Sequence, residues 1–531
     1  MTAENKWIDS RICILLFMFS LAYLFLFVRI LWRIGDEGAL VYNAQLVIQG
    51  ALPSRDFSEI MGPASFYWLG LFFKLFGTNI VVARAVLLLT GSLTTMLLYW
   101  MTQRVYKGPF AVLPSIFYLV IGIPLWPGTN HHWDSNLFAL LAVSTFFLWQ
   151  DRGRCWFLAI AGVLAGLTSC FMQQKGLCII LALALVVWSN GYRAGQTKLK
   201  IVSLLGTLLS GYAGVGCLTL LFFYLSGGLY NIIYNNLIVP ISGFININDV
   251  PYGFGLIKFL FSTYLKNFQN IMPSPLYQAA STLMLVPLLI IFFLPLLLLG
   301  LTGVACFQKS TRMTFFSATM LPYWATGSAL WISELHRKDI THLIYGSPLL
   351  LILLFVTCDY CFRNKRILRS TGIAIITVSI IFFGSYNALV AASANQKIIS
   401  RRGVLYGFKE DRALKFLIDN TTPGDYVYVH PYYPMYYFLA DVRNPTRYSA
   451  VYYCSDAQAK EVIENLKSKR VKYVLSDKVI SIANLQTWFP KYEHPTDGDL
   501  RLEQFLVDYY EVITTENGFD ILQRREDKLA N

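Results

Sequence analysis

ICILLFMFSLAYLFLFV, residues Ile12–Val28, holds no charged side chain and runs directly into RILWRIGDEG, Arg29–Gly38. Carried on by Ile30–Trp32, the run exceeds a signal-peptide core of about 7–15 residues, and no small-residue cleavage site follows it. It reads as a retained membrane anchor. Apolar runs of about twenty residues, the length that crosses the hydrocarbon layer, recur along the chain.

Composition agrees. Of 531 residues, 55% are hydrophobic and 14% charged, against about 25% charged in soluble domains. The net charge of +13 does not indicate nucleic-acid binding, because Lys and Arg fall mostly in short gaps between apolar runs, where topology explains them. The nine cysteines lie mostly inside apolar runs, where Cys acts as a small hydrophobe. The isolated Cys358-x-x-Cys361 lacks the further ligands a metal site needs.

Run length argues for helices, since barrel strands are about ten residues and alternate. The expected fold class is an α-helical polytopic membrane protein with spans near 12–31, 81–103, 109–125, 135–150, 155–171, 176–190, 200–225, 279–305, 313–332, 343–361 and 370–391. One set of loops is short and basic: Lys6 and Arg11; Arg104 and Lys107; Arg152 and Arg154; Arg193, Lys198 and Lys200; Lys309 and Arg312; Arg363, Lys365, Arg366 and Arg369. That face is expected to be cytoplasmic. The opposite face carries Asp36, Glu37, Asp56, Glu59, Asp134, Asp249, Glu334, Asp339 and all six histidines, and an odd number of spans puts the C-terminus there too. Two outer loops are long. Loop 32–80 contains an amphipathic stretch, Ala39–Ile48, suited to lying flat at the interface; loop 226–278 is rich in Tyr, Asn, Pro and Gly.

The membrane domain is expected over 1–391. Residues 392–531, where charges become frequent, read as a small α/β extracytoplasmic domain: helices at Asp411–Asp419 and Ala457–Lys469, strands at Tyr426–His430 and Val471–Leu475. Its one cysteine, Cys454, excludes an internal disulfide, so it relies on its own core or on docking to the membrane part.

The strongest chemical signal is the end of the first span. If the helix persists, Arg29, Arg33, Asp36 and Glu37 share one face. Charges at such a depth are functional candidates, with interfacial snorkelling and an Arg33–Glu37 pair as the bland alternative. A second outer loop, WPGTNHHWD (Trp126–Asp134), offers His131, His132 and Asp134 for substrate contact, for zinc or manganese, or for helix capping by Asp134; adjacent histidines, however, point apart in most backbones. Lys175 opens another span at the outer surface, where it must face a polar cavity or snorkel.

Asp36-Glu37-Gly38, Tyr42, Ala44, Gly50, Pro53, Asp56-Phe57, Gly62-Pro63, Phe76-Gly77 and Ala83-Arg84 resemble the pattern of GT-C glycosyltransferases. The pattern is that of the glycosyltransferase family 39-like proteins, which include protein O-mannosyltransferases and lipid A aminoarabinose transferases. Pro423-Gly424-Asp425, Tyr436–Leu439, Asn444–Tyr448 and Arg337-Lys338-Asp339-x-x-His342 before Pro348 are similar to the bacterial members.

The resemblance implies an inverting transfer of a sugar from a polyprenyl-phosphate carrier to an acceptor hydroxyl on the extracytoplasmic side. The essential acid maps to Asp36, with Glu37 as the adjacent alternative. Substrate contacts are expected from Arg29, Arg33, Arg84, His132, Asp134, Lys175, Arg337, Lys338 and His342. No resident metal or cofactor is expected, a divalent cation staying open. The partners are the bilayer, the lipid-linked donor and a lipid, glycan or protein acceptor. A transporter or flippase is the rival reading, but paired broken helices and internal symmetry are not evident in the sequence. A non-catalytic scaffold is the third.

Overall fold

The computed structural model describes residues 3–108, 110–256, 274–307, 317 and 319–525. Part of the second long loop and the Lys309–Arg312 connection lie outside these residues. Among the described residues the membrane part is built of helices. Its helices are Ala3–Val28, Ile80–Val105, His131–Arg152, Cys155–Phe171, Gln173–Arg193, Lys198–Leu225, Leu321–Ser333 and Arg366–Ser393, with shorter and broken ones between. Among the described residues, five helices are long and apolar enough to cross a membrane, or up to seven with two bent pairs included.

Two expected spans are broken. The run 279–305 bends by 76° between Phe292 and Leu294, and 343–361 becomes Ile340–Gly346 and Pro348–Phe362 at 73°. Pro295 and Pro348 begin the second half of each, where a missing N–H is tolerated but continuation of the preceding helix is not. The expected span 109–125 shrinks to Leu113–Ile121 and a 3₁₀ turn, Ile123–Leu125.

The outer loop 32–80 folds into two helices, Gly35–Ile48 and Pro63–Phe76. The first is buried over Glu37–Gln45 rather than one-sided. Its cover is the short helix Met435–Leu439 of the C-terminal domain, and both belong to one apolar core with Phe66, Phe73, Leu414 and Phe519. Close approach demands glycine here: a methyl group on Gly38 would strike the backbone nitrogen of Met435, and one on Gly35 the ring of Tyr432.

The C-terminal domain begins with a hairpin, β1 (Gln396–Ser400) and β2 (Gly403–Gly407). Next come β3 (Val427–His430), β4 (Tyr473–Asp477), β5 (Tyr510–Glu516) and β6 (Phe519–Arg524), in sheet order β3-β4-β6-β5. Within this sheet β3–β4 is parallel, and β4–β6 and β5–β6 are antiparallel. The expected helices appear as Arg412–Asn420, capped by Asp411, and Asp456–Ser468, capped by Ser455. A helix at Asp497–Tyr509 completes a second core around Val462, Leu466, Val474 and Leu502. Cys454 is buried and free.

Candidate active site

The first helix stops at Val28, where the Trp32 indole N–H donates to the Phe27 carbonyl at 3.0 Å. Residues 29–34 then pair with the C-terminal hairpin: Leu31 N donates to Tyr406 O at 2.8 Å, and Tyr406 N to Arg29 O at 3.0 Å. A new helix starts at Gly35. The expected common face of Arg29, Arg33, Asp36 and Glu37 therefore does not form, because backbone pairing with Tyr406 takes the place of the intrahelical ladder.

The four side chains diverge. Arg29 donates to the carbonyls of Ala391 and Ala394 at 3.5 and 3.4 Å. Arg33 leaves the membrane part altogether. It pairs with Asp477, donates to Asn517 O at 3.1 Å and covers the Phe519 ring at 4.3 Å. Glu37 is fully buried; Arg84 reaches it at 2.6 Å and Thr129 N donates to it at 3.0 Å. Arg84 also donates to Pro127 O at 2.5 Å. Glu37 thus ties the first outer loop, the Ile80–Val105 helix and the second outer loop together.

Asp36 makes a contact of another kind. It is half-buried in the first turn of its helix, and its Oδ1 accepts a hydrogen bond of 2.7 Å from the Tyr432 hydroxyl. Burial, and then the charge of Asp36, push the phenols of Tyr432 and Tyr452 up; the two rings are 6.1 Å apart. Glu59 shares this space. Burial, with Asp36 adding to it, lifts its carboxyl to about 7. Composition alone did not single out Glu59, Tyr432 or Tyr452, although Glu59 stands three residues before the matched Gly62-Pro63.

Beyond Asp36 lies a second cluster. The His131–Arg152 helix is capped by Asn130, which accepts from His132 N at 2.9 Å, so the cap is Asn130 and not Asp134. Asp134 is buried and accepts from Thr90 at 3.2 Å. The His131 and His132 rings do not point apart; their centroids are 4.2 Å from each other. His132 stacks on Tyr345 at 4.5 Å and faces Glu334, with Nδ1 3.1 Å from Oε2. Lys175 is fully buried in a polar interior, contacting Glu334 at 2.7 Å, Ser135 at 2.9 Å and Asn136 at 2.7 Å.

The Asp339 carboxylate caps the Ile340–Gly346 helix through His342 N and also binds His342 Nδ1 at 2.8 Å. Arg337 bonds Asp339 at 2.6 Å, Asn248 at 2.9 Å and Trp488 O at 3.1 Å, and Lys338 pairs with Asp249. Each expected phosphate-binding cation therefore has a protein partner, and Arg29, Arg33 and Arg84 do not surround Asp36. His132, Glu334, His336 and His342 bring four potential metal ligand atoms within 4.8 Å of one another.

This helical body with its mixed C-terminal sheet has the fold of the GT-C membrane glycosyltransferases. Over 99% of its length it is similar to the apo Archaeoglobus fulgidus oligosaccharyltransferase, at TM-score 0.57 and 13% identity, across 75% of that chain. Within that class, residues 61–212 match the family described as dolichyl-phosphate-mannose-protein mannosyltransferase. The Archaeoglobus fulgidus oligosaccharyltransferase AglB in complex with an inhibitory peptide and a dolichol-phosphate is similar over 98% of this chain and 75% of its own, at TM-score 0.51 and 13% identity. ArnT from Cupriavidus metallidurans bound to undecaprenyl phosphate aligns over 99% of both chains at TM-score 0.49 and 12% identity. No curated protein sequence matches the chain.

Proposed function

We propose that this protein transfers a sugar from a polyprenyl-phosphate carrier to an acceptor hydroxyl, with inversion, on the extracytoplasmic side. The observation that carries the reading is the Tyr432–Asp36 hydrogen bond: a half-buried carboxylate, in the seam between the membrane part and the C-terminal domain, already accepts from a hydroxyl at 2.7 Å. The matched family description names a dolichyl-phosphate sugar, and the AglB structure holds a dolichol-phosphate. Both fit a lipid-linked donor.

In the proposed reaction the acceptor oxygen attacks the anomeric carbon as Asp36 takes its proton. The bond to the carrier phosphate breaks on the opposite face, and phosphate charge grows as it does. Arg337 and Lys338, in the turn between the Leu321–Ser333 and Ile340–Gly346 helices, are the groups we assign to that charge. Glu37 and Arg84 hold the Asp36 loop in place. The clustering of acids, histidines and the C-terminal domain away from the basic loops supports the outer location.

The test is transfer by the purified protein in detergent against a panel of radiolabelled polyprenyl-phosphate sugars, paired with mass spectrometry of envelope lipids and glycans with and without an active copy. Turnover by the wild type that falls at least about 100-fold in a folded Asp36→Asn variant is the expected result. An Asp36→Asn variant that matches the wild type sinks the reading.

A further inference from the structure

The C-terminal domain carries a run of four cations, Lys467, Lys469, Arg470 and Lys472, where the Asp456–Ser468 helix passes into β4. All four are exposed; of the residues between them, Ser468 is exposed and Val471 buried. The run lies far beyond the roughly 15–20 residues next to a span within which loop charge sets orientation, so topology does not account for it. The helix dipole favours cations in the last turn, but Lys472 stands past the helix.

Two observations set the run apart. First, its charges are not neutralised. Elsewhere on this domain Arg447 pairs with Glu461, Lys460 and Arg501 with Asp456, and Lys478 with Asp520. Among the described residues none of the four has a carboxylate partner. Three lie instead over aromatic rings: Lys467 at 4.7 Å from the Tyr509 centroid, Lys469 at 5.1 Å from Tyr426 and Lys472 at 4.8 Å from Tyr473. A ring fixes an ammonium group without cancelling its charge. Second, Arg470 closes the helix in the left-handed region, at φ 48°. Its N–H donates to the Lys467 carbonyl at 3.0 Å, and the Val471 N–H to that of Leu466 at 3.1 Å. Glycine is the usual residue at this point of such a helix end, and a side chain there is strained. The chain sets an arginine where its backbone penalises one.

From these observations we infer that the Lys467–Lys472 run is a docking surface for an anionic glycan, a chain bearing carboxylate or phosphate groups. A polyelectrolyte needs closely spaced free cations. A protein partner needs an apolar centre, and the run exposes none. The run is also tied to the acid pocket. Lys469 donates to the Pro445 carbonyl. Further along the same loop the Ser449 hydroxyl accepts from Asn43 at 3.3 Å, and Asn43 reaches Glu59 at 3.5 Å. The backbone from Pro445 to Ser449 spans at most about 14 Å, short enough for one bound chain to cover both the run and the pocket of Asp36 and Glu59. That last step, delivery of an acceptor, rests on the transferase reading; the binding of the glycan does not.

The experiment titrates the full chain, in nanodiscs of neutral phosphatidylcholine, with polygalacturonate. Neutral dextran is the blank, and phosphatidylglycerol vesicles form a separate arm. The wild type is expected to bind polygalacturonate over dextran and to release it as salt rises. The variant Lys467→Gln, Lys469→Gln, Arg470→Gln, Lys472→Gln is expected to bind at least about 10-fold more weakly. A matched variant, Lys415→Gln, Lys460→Gln, Lys478→Gln, Arg501→Gln, removes the same net charge from paired positions on the same domain. It is expected to bind within about 2-fold of the wild type. All eight side chains are exposed, so thermal midpoints are expected to be unchanged in both variants. Wild-type binding no stronger than that of dextran overturns the assignment without recourse to any variant. Equal weakening in the two variants also overturns it, because net charge then explains the binding. So does a run variant that loses the vesicles but keeps polygalacturonate, which assigns the run to a lipid surface. Turnover is read in none of these arms, so the fate of the Asp36 reading leaves the outcome unchanged.

Discussion

The Tyr432 hydroxyl, in the C-terminal domain, donates a 2.7 Å hydrogen bond to Asp36, which opens the first outer helix 396 residues earlier in the chain. In the proposed reaction the phenol occupies the position of the acceptor hydroxyl. Tyr432→Phe keeps the ring against Gly35 and removes only the donor. We expect its transfer rate to stay within about 10-fold of the wild type, against a loss of about 100-fold or more for Asp36→Asn. Initial rates on one sugar donor measure both, and equal losses would contradict the assignment of the proton to Asp36 alone.

Glu37 and Arg84 form a buried pair with every partner inside the protein. Removing one charge strands the other. Arg84→Met is expected to lower stability by about 3–5 kcal/mol, and the double variant Glu37→Leu, Arg84→Met to recover part of that. Thermal unfolding in detergent decides; a single variant as stable as the wild type contradicts the assignment of Glu37 as a strut.

Arg33 bridges to Asp477, Asn517 and the Phe519 ring. Arg33→Ala leaves the fully buried Asp477 carboxylate, among the described residues, with the backbone donors of Val479 and Ile480. Faster hydrogen exchange in β4 and β6, with the membrane helices unchanged, is the expected signature. The cost is about 1–3 kcal/mol.

Glu59 carries a pH dependence. Its carboxyl moves from 4.5 to about 7 on folding. The folded state therefore favours the proton, and this contribution is complete below about pH 4.5 and is lost as pH rises through 7. Glu59→Gln should match the wild type at pH 5 and exceed it by about 1–2 kcal/mol at pH 8. Parallel stability curves for the two proteins across that range would remove Glu59 from the buried acid cluster.

The membrane class and most helices were legible because run length and charge frequency report directly on solvent. The break after Val28 was not. Nothing in RILWRIG prevents a helix, and the competing partner, Tyr406, is nearly four hundred residues away. The bends at Phe293 and Ser347 had local signals in Pro295 and Pro348, which hydropathy alone overrode. His336, His342 and Glu334 were assigned to the same face as His132 but not grouped with it, since their meeting depends on how separate helices cross.

The strap formed by residues 29–34 has a consequence for biogenesis. Arg33 is translated well before Asp477, Asn517 and Phe519, the groups that fasten it. A half-made chain already inserted in the bilayer carries an unlatched Asp36 loop, and only completed synthesis brings the Tyr432 hydroxyl to it.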